Sequence, residues 1–275
     1  MTYKQLLFCF VFFIFCHIVK SENGPLGARA SALGKVSVLH KDLWSVENNP
    51  AAMGFVKSFG GGISYKSPFL LNEFATKAAV ISYPTENGAF GLHLKQFGYA
   101  LFNENKLGLS YGQQLGKNIA LGIQLSYLKT QINEGNYTNK SAVSGSVGIF
   151  AKPSDEFTLA AVIINPNRAK YSDYQDERYP TYLKMGVGYH FSDKVILMAE
   201  VEKDIDHMAQ AKFGVEYKAI DILHFRAGYA SNPSISSFGF GLKLNDFKLD
   251  FSSSFHNTLG FSPQVSLSFE IDRKK

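Results

Sequence analysis

What most restricts this chain is a period-two alternation repeated through segment after segment of about ten residues. Leu183, Met185, Val187, Tyr189 and Phe191 share one face, with Lys184, Gly186, Gly188 and His190 on the other. Ile119, Leu121, Ile123, Leu125 and Tyr127 repeat the pattern against Ala120, Gly122, Gln124 and Ser126. Phe247, Leu249 and Phe251 do so against Lys248, Asp250 and Ser252. One face is apolar and aromatic, the other small, polar or charged. A soluble antiparallel sandwich also alternates. Its strands, however, centre on about five or six residues, whereas a tilted strand that crosses a bilayer needs about ten.

The alternation predicts strands over 60–69, 73–84, 88–97, 105–115, 118–131, 141–152, 156–164, 181–191, 194–203, 209–218, 221–230, 235–244, 247–256 and 260–271. That makes an all-β, transmembrane antiparallel barrel of about 14 strands, an even number as such barrels require. The connections after even strands are short, such as Gly116-Lys117 and Asn245-Asp246. Those after odd strands include longer ones, among them 133–140 and 165–180. This asymmetry places the short turns and both termini on the periplasmic side. Tyr65, Phe69, Tyr83, Phe97, Tyr111, Tyr127, Phe150, Tyr189 and Tyr229 lie near segment ends and read as aromatic girdles. On this reading Val187 faces lipid, and Gly186, on the polar face, should tolerate serine.

Lys4 followed by the apolar run Leu6–Ile18, with Val19-Lys20-Ser21 beyond it, reads as a signal peptide over 1–21 cleaved after Ser21. The run is shorter than the roughly twenty residues of a membrane helix. Both cysteines, Cys9 and Cys16, fall within it, so the mature chain would hold neither disulfides nor thiolate metal sites. Removing Lys4 and Lys20 leaves a net charge of about +3, too small and dispersed for nucleic-acid binding.

Residues 22–59 do not alternate. Leu26–Gly34 is rich in small residues, and Asp42–Ala52 reads as a short helix interrupted at Asn49-Pro50, because the residue before proline is driven from the helical region. Such a segment lies either outside the barrel as a linker or inside it as a plug, ahead of a barrel over 60–275. Lone Trp44 and the small residues favour packing against something.

Gly27-Ala28-Arg29-Ala30, Leu33-Gly34, Asp42 and Asn49-Pro50-Ala51-Ala52 ahead of the first strand resemble the N-terminal segment of FadL-like outer-membrane barrels. The resemblance is strongest to the PorV/PorQ branch associated with type IX secretion in Bacteroidetes. The stretch His256–Ser262 running into Ser266–Phe269 is similar to the last hairpin of that branch. The resemblance implies a helical hatch in the lumen, with Arg29, Asp42, Trp44, Asn49, Pro50 and Ala51 as its plug residues. It implies an accessory or partner-binding role in type IX secretion, or alternatively a diffusion channel for hydrophobic small molecules, with an apolar pocket inside the lumen to which Trp44, Met53 and Phe55 would contribute. Implied partners are outer-membrane lipid, other outer-membrane or secretion proteins and a hydrophobic ligand.

Catalytic chemistry finds little support. His190 and His224 fall on the polar face beside several serines, as chance supplies in any barrel, and no two histidines have metal-ligand spacing. The chain reads as a non-enzymatic protein of the cell outer membrane without cofactor or metal.

Overall fold

The computed structural model describes residues 24–133, 139–170 and 177–272. It is a closed barrel of fourteen antiparallel strands. These are β1 (Ser58–Lys66), β2 (Thr76–Pro84), β3 (Gly88–Gly98), β4 (Phe102–Gln114), β5 (Ile119–Ile132), β6 (Lys140–Ala151) and β7 (Phe157–Ile164). The second half comprises β8 (Tyr182–His190), β9 (Val195–Asp204), β10 (Gln210–Lys218), β11 (Leu223–Ala230), β12 (Ile235–Leu244), β13 (Phe247–His256) and β14 (Gly260–Asp272). Neighbours in sequence pair with one another, and β1 closes on β14 with Ser58 opposite Asp272 and Lys66 opposite Gln264. Closure leaves no edge strand with unpaired backbone groups, which the interior of a bilayer would not tolerate.

Alternation sorts the side chains between lipid and lumen. Ile63, Ile123 and Leu125 are each 61 % exposed on the outer wall, an apolar surface far too extensive for a water-soluble sheet. Among the described residues no helix is long and apolar enough to cross a membrane. Aromatic pairs stand on the outer wall, among them Phe90–Tyr111 at 4.5 Å and Phe157–Tyr189 at 4.9 Å between ring centroids. Three of the expected girdle residues are placed otherwise. Phe97 and Phe150 point into the lumen and are buried, because they share the parity of His93 and Lys95 in β3 and of Ser144 and Ser146 in β6. Phe69 lies in the β1–β2 connection, where Lys66 ends β1 earlier than the alternation predicts.

Residues 24–57 pack against the inward faces of the strands. This segment contains α1 (Ala28–Ala32), α2 (Ser45–Asn48) and a 3-10 turn over Pro50–Phe55. Asn49 is extended, at φ −158° and ψ 102°, as a residue before proline must be. Inward glycines admit the segment. A Cβ on Gly122 would overlap the Pro50–Ala51 peptide, and one on Gly228 would overlap the backbone of Gly34. Gly27 needs its positive φ of 86° to start α1, and a Cβ there would run into the Trp44 ring. The expected tolerance of Gly186 is corrected on the same grounds: a Cβ there would lie 2.9 Å from Val38 Cγ2 and 3.1 Å from Leu39 Cγ. Ser21 lies outside the described residues.

Candidate functional site

Two cavities inside the barrel lie on opposite sides of the lumen segment, an outer and an inner one. Its own core forms where Leu33, Val36, Val38, Leu39, Ala51 and Ala52 meet Phe150, Ala160, Val162 and Met198 of the wall. Burying these side chains against the strands seats the segment; each large one contributes roughly 1.5–3 kcal/mol relative to exposure. Val46 and Met53 pack beside Ala89, while Leu26, Leu43 and Trp44 pack against Ala78 and Val80.

Charged and polar contacts fix its orientation. Arg29 donates from Nε and Nη2 to the two carboxylate oxygens of Glu216, at 2.9 and 2.8 Å, and from Nη1 to Asp42 at 3.2 Å. Arg226 extends the chain of pairs to Glu216 and Asp250, both at 2.6 Å. Farther along, Glu200 accepts from the backbone N–H groups of Ser37 and Val38 and pairs with Lys212 at 2.9 Å. Glu202 takes Lys212 at 2.6 Å and Lys184 at 2.9 Å. Glu47 of α2 pairs with Lys106 at 3.0 Å and touches His93. Burial opposes ionisation of Glu47, but His93 and Lys106 outweigh it and hold that carboxyl well below the ordinary range. The mixed-sign charges of the inward faces therefore neutralise one another and the segment, as buried charges must.

The expected plug residues do not form one cluster. Arg29, Asp42 and Trp44 border the inner cavity, together with Glu216, His224, Arg226, Lys248 and Asp250. Asn49 is fully buried beside β6: its Oδ1 accepts from Ala51 N at 3.1 Å, while Nδ2 donates to Val38 O at 3.0 Å and Ile149 O at 3.5 Å. Pro50 opens the 3-10 turn, and Ala51 joins the segment's core.

The outer cavity lies toward the longer connections. Apolar groups of Pro25, Phe97, Leu128, Ile164, Pro180 and Tyr182 line it, with Lys95, Lys106, Lys184, Glu47 and Glu104 between them. This corrects the expected apolar pocket at Trp44, Met53 and Phe55. Met53 is fully buried against Val46, Phe55 packs on Phe150 at 5.4 Å, and Trp44 borders the polar inner cavity instead. The roof comes from the β7–β8 connection, which Asn165 ties down by donating to Tyr179 O and accepting from Ala169 N, both at 2.8 Å. Asn167 fastens the same connection to β6, donating to Val143 O at 2.8 Å and accepting from Gly145 N at 3.1 Å. Phe97 was legible through its parity with His93 and Lys95; the contribution of the β7–β8 connection was not legible in the sequence. Among the described residues no cluster of His, Cys, Asp and Glu could hold a metal ion.

A barrel of fourteen strands with a lumen segment between two cavities matches solved structures over nearly its whole length. The TodX monoaromatic hydrocarbon channel, as a deltaS2 mutant, superposes with a TM-score of 0.74 at 12 % identity, covering 92 % of this chain and 100 % of that one. This is a FadL-like outer-membrane barrel fold. The toluene transporter TbuX of Ralstonia pickettii matches this FadL-like barrel at a TM-score of 0.69 and 12 % identity, covering 90 % of this chain and 98 % of that one. A Pseudomonas aeruginosa FadL homologue matches at 0.59 and 15 %, covering 92 % and 99 %. No family profile matches the chain, and no curated protein does. The FadL-like barrel resides in the outer membrane. The expectation of an accessory role in type IX secretion is overturned: the matched structures are described as hydrocarbon channels and a FadL homologue.

Proposed function

We propose that this protein is a diffusion channel that admits small hydrophobic molecules through the outer membrane, with residues 24–57 as its hatch and the outer cavity as its first binding site. The observation that carries this is a cavity with walls from Phe97, Leu128, Ile164 and Tyr182, closed from beneath by α2. Apolar walls set with the charged groups of Lys95, Lys106, Lys184, Glu47 and Glu104 make a concave site for a small hydrophobic ligand with a polar end. The descriptions of TodX and TbuX as hydrocarbon or toluene channels support the same class of substrate.

Lys95 favours a hydrophobic molecule that carries an acid group. Its Nζ donates to Gly24 O at 3.5 Å, and no carboxylate lies at ion-pair distance from it among the described residues. A carboxylate headgroup beside Lys95, with its tail against Phe97 and Leu128, would supply the missing charge.

Uptake of labelled toluene and of labelled palmitate into cells with and without the protein tests this reading. The expected result is uptake that depends on the protein for at least one of the two, and that falls when Phe97→Asp places a charge in the cavity. Equal uptake of both compounds by cells with and without the protein would overturn it.

A further inference from the structure

The outer wall carries one irregularity in its apolar band. Across β2 to β5, Lys77 stands opposite Gln96, Gln96 opposite Asn105, and Asn105 opposite Lys129. These four form a single outward-facing row near the outer ends of their strands. Two positions nearer the barrel's waist, Ala79, Leu94, Leu107 and Tyr127 form the next outward row, in the same unbroken register. The two rows border a shallow depression in the wall, deepened by the small side chain of Ala79. On the flanking strands the polar row meets Tyr65 of β1 and Ser141 of β6.

The polar row holds two lysines and two amides and no acid. Neither Lys77 nor Lys129 has a carboxylate partner among the described residues. Asn105 donates to Asn103 Oδ1 at 2.6 Å and Gln131 Oε1 at 3.3 Å, which extends the amide surface one row farther out. At about 4.8 Å per strand, the two lysines are separated by roughly 14 Å along the row. Two unpaired cations at the boundary of the hydrocarbon region, above an apolar floor, are complementary to an anionic headgroup with acyl chains beneath it.

We propose that this face of β2 to β5 binds a phosphate-bearing glycolipid of the outer leaflet, its phosphates on Lys77 and Lys129 and its acyl chains over Leu94, Leu107 and Tyr127. The site lies on the lipid side of the wall, and Asn105 and Lys129 of its polar row also border the cavity inside the lumen.

The test counts lipids retained by the full-length protein in native mass spectrometry, titrated with diphosphorylated lipid A. The wild type is expected to retain lipid A. The double variant Lys77→Gln, Lys129→Gln should bind about tenfold more weakly or worse, given what each lysine contributes at an anionic surface. Lys203→Gln, an outward lysine near the outer end of β9, should bind as the wild type does. Heat-modifiable migration on gels verifies that all three barrels are folded, since the altered side chains lie on the outer surface. Equal binding by wild type and double variant would overturn the proposal. So would equal retention of lipid A stripped of its phosphates, which would reduce the site to apolar contact. Displacement of lipid A by equimolar palmitate would assign the depression to substrate instead.

Discussion

Arg29 and Glu216 face each other across the boundary between hatch and wall, with two parallel N–H donors of the guanidinium on the two oxygens of one carboxylate. Such a bidentate pair fixes direction as well as distance. Arg226 shares Glu216 and Asp42 shares Arg29, so four charged groups from hatch, β10 and β11 hold one another. Glu216→Gln would leave two guanidiniums facing each other without their common counter-charge. We expect it to weaken hatch seating by about 2–4 kcal/mol. Single-channel recording in a planar bilayer is the measurement: openings should become frequent in the variant and stay rare in the wild type, and identical traces would show that the pair does not hold the hatch.

Deletion of residues 27–55, with the preceding residues kept, should leave a barrel that still inserts. The strands pair in a complete ring without help from the hatch. The emptied lumen would be lined by inward glycines and serines and would fill with water. The deletion protein is therefore expected to conduct ions steadily where the full-length protein conducts little. Equal conductance from both would show that the segment blocks nothing.

Val187 is 40 % exposed on the outer wall near the middle of β8. An arginine there would face hydrocarbon and should destabilise the barrel by about 2–4 kcal/mol. Its neighbour Gly186 should also resist change, for a different reason: serine would push Val38 and Leu39 of the hatch away from the wall. Refolding titrations into lipid vesicles distinguish the two. The arginine variant should lose stability with or without the hatch, whereas Gly186→Ser should lose it only when the hatch is present.

The loops define a direction across the membrane. The β1–β2 connection runs over nine residues, from Ser67 to Ala75, and Leu70 and Leu71 are exposed in it. The opposite end carries turns such as Asn245-Asp246. A tag inserted at Leu71 is expected to be labelled on intact cells, and one at Ser154 only after the outer membrane is permeabilised. Labelling of the second site alone would invert the orientation.

Alternation determined the barrel by itself, because a period of two leaves each strand one apolar face, and ten-residue strands with such a face suit only a bilayer. It also marked 22–59 as something other than strand, since Asn49-Pro50 and the small residues around Arg29 break the pattern; the structure has this over 24–57 and begins β1 at Ser58, two residues earlier. Where that segment sits, and what each inward residue does, was left to the tertiary structure. Phe97 and Phe150 look like girdle aromatics from their place near segment ends, although the alternation of their own strands puts them on the lumen face, and Gly186 looks permissive until Val38 lies against it. The outer cavity joins residues of the hatch, of six strands and of the β7–β8 connection, and the row from Lys77 to Lys129 exists only through the pairing of four strands. Local pattern reports which face of a strand is apolar. Which strand stands beside which, and at what height, depends on hydrogen-bond register across the closed sheet, and that is a property of the whole chain.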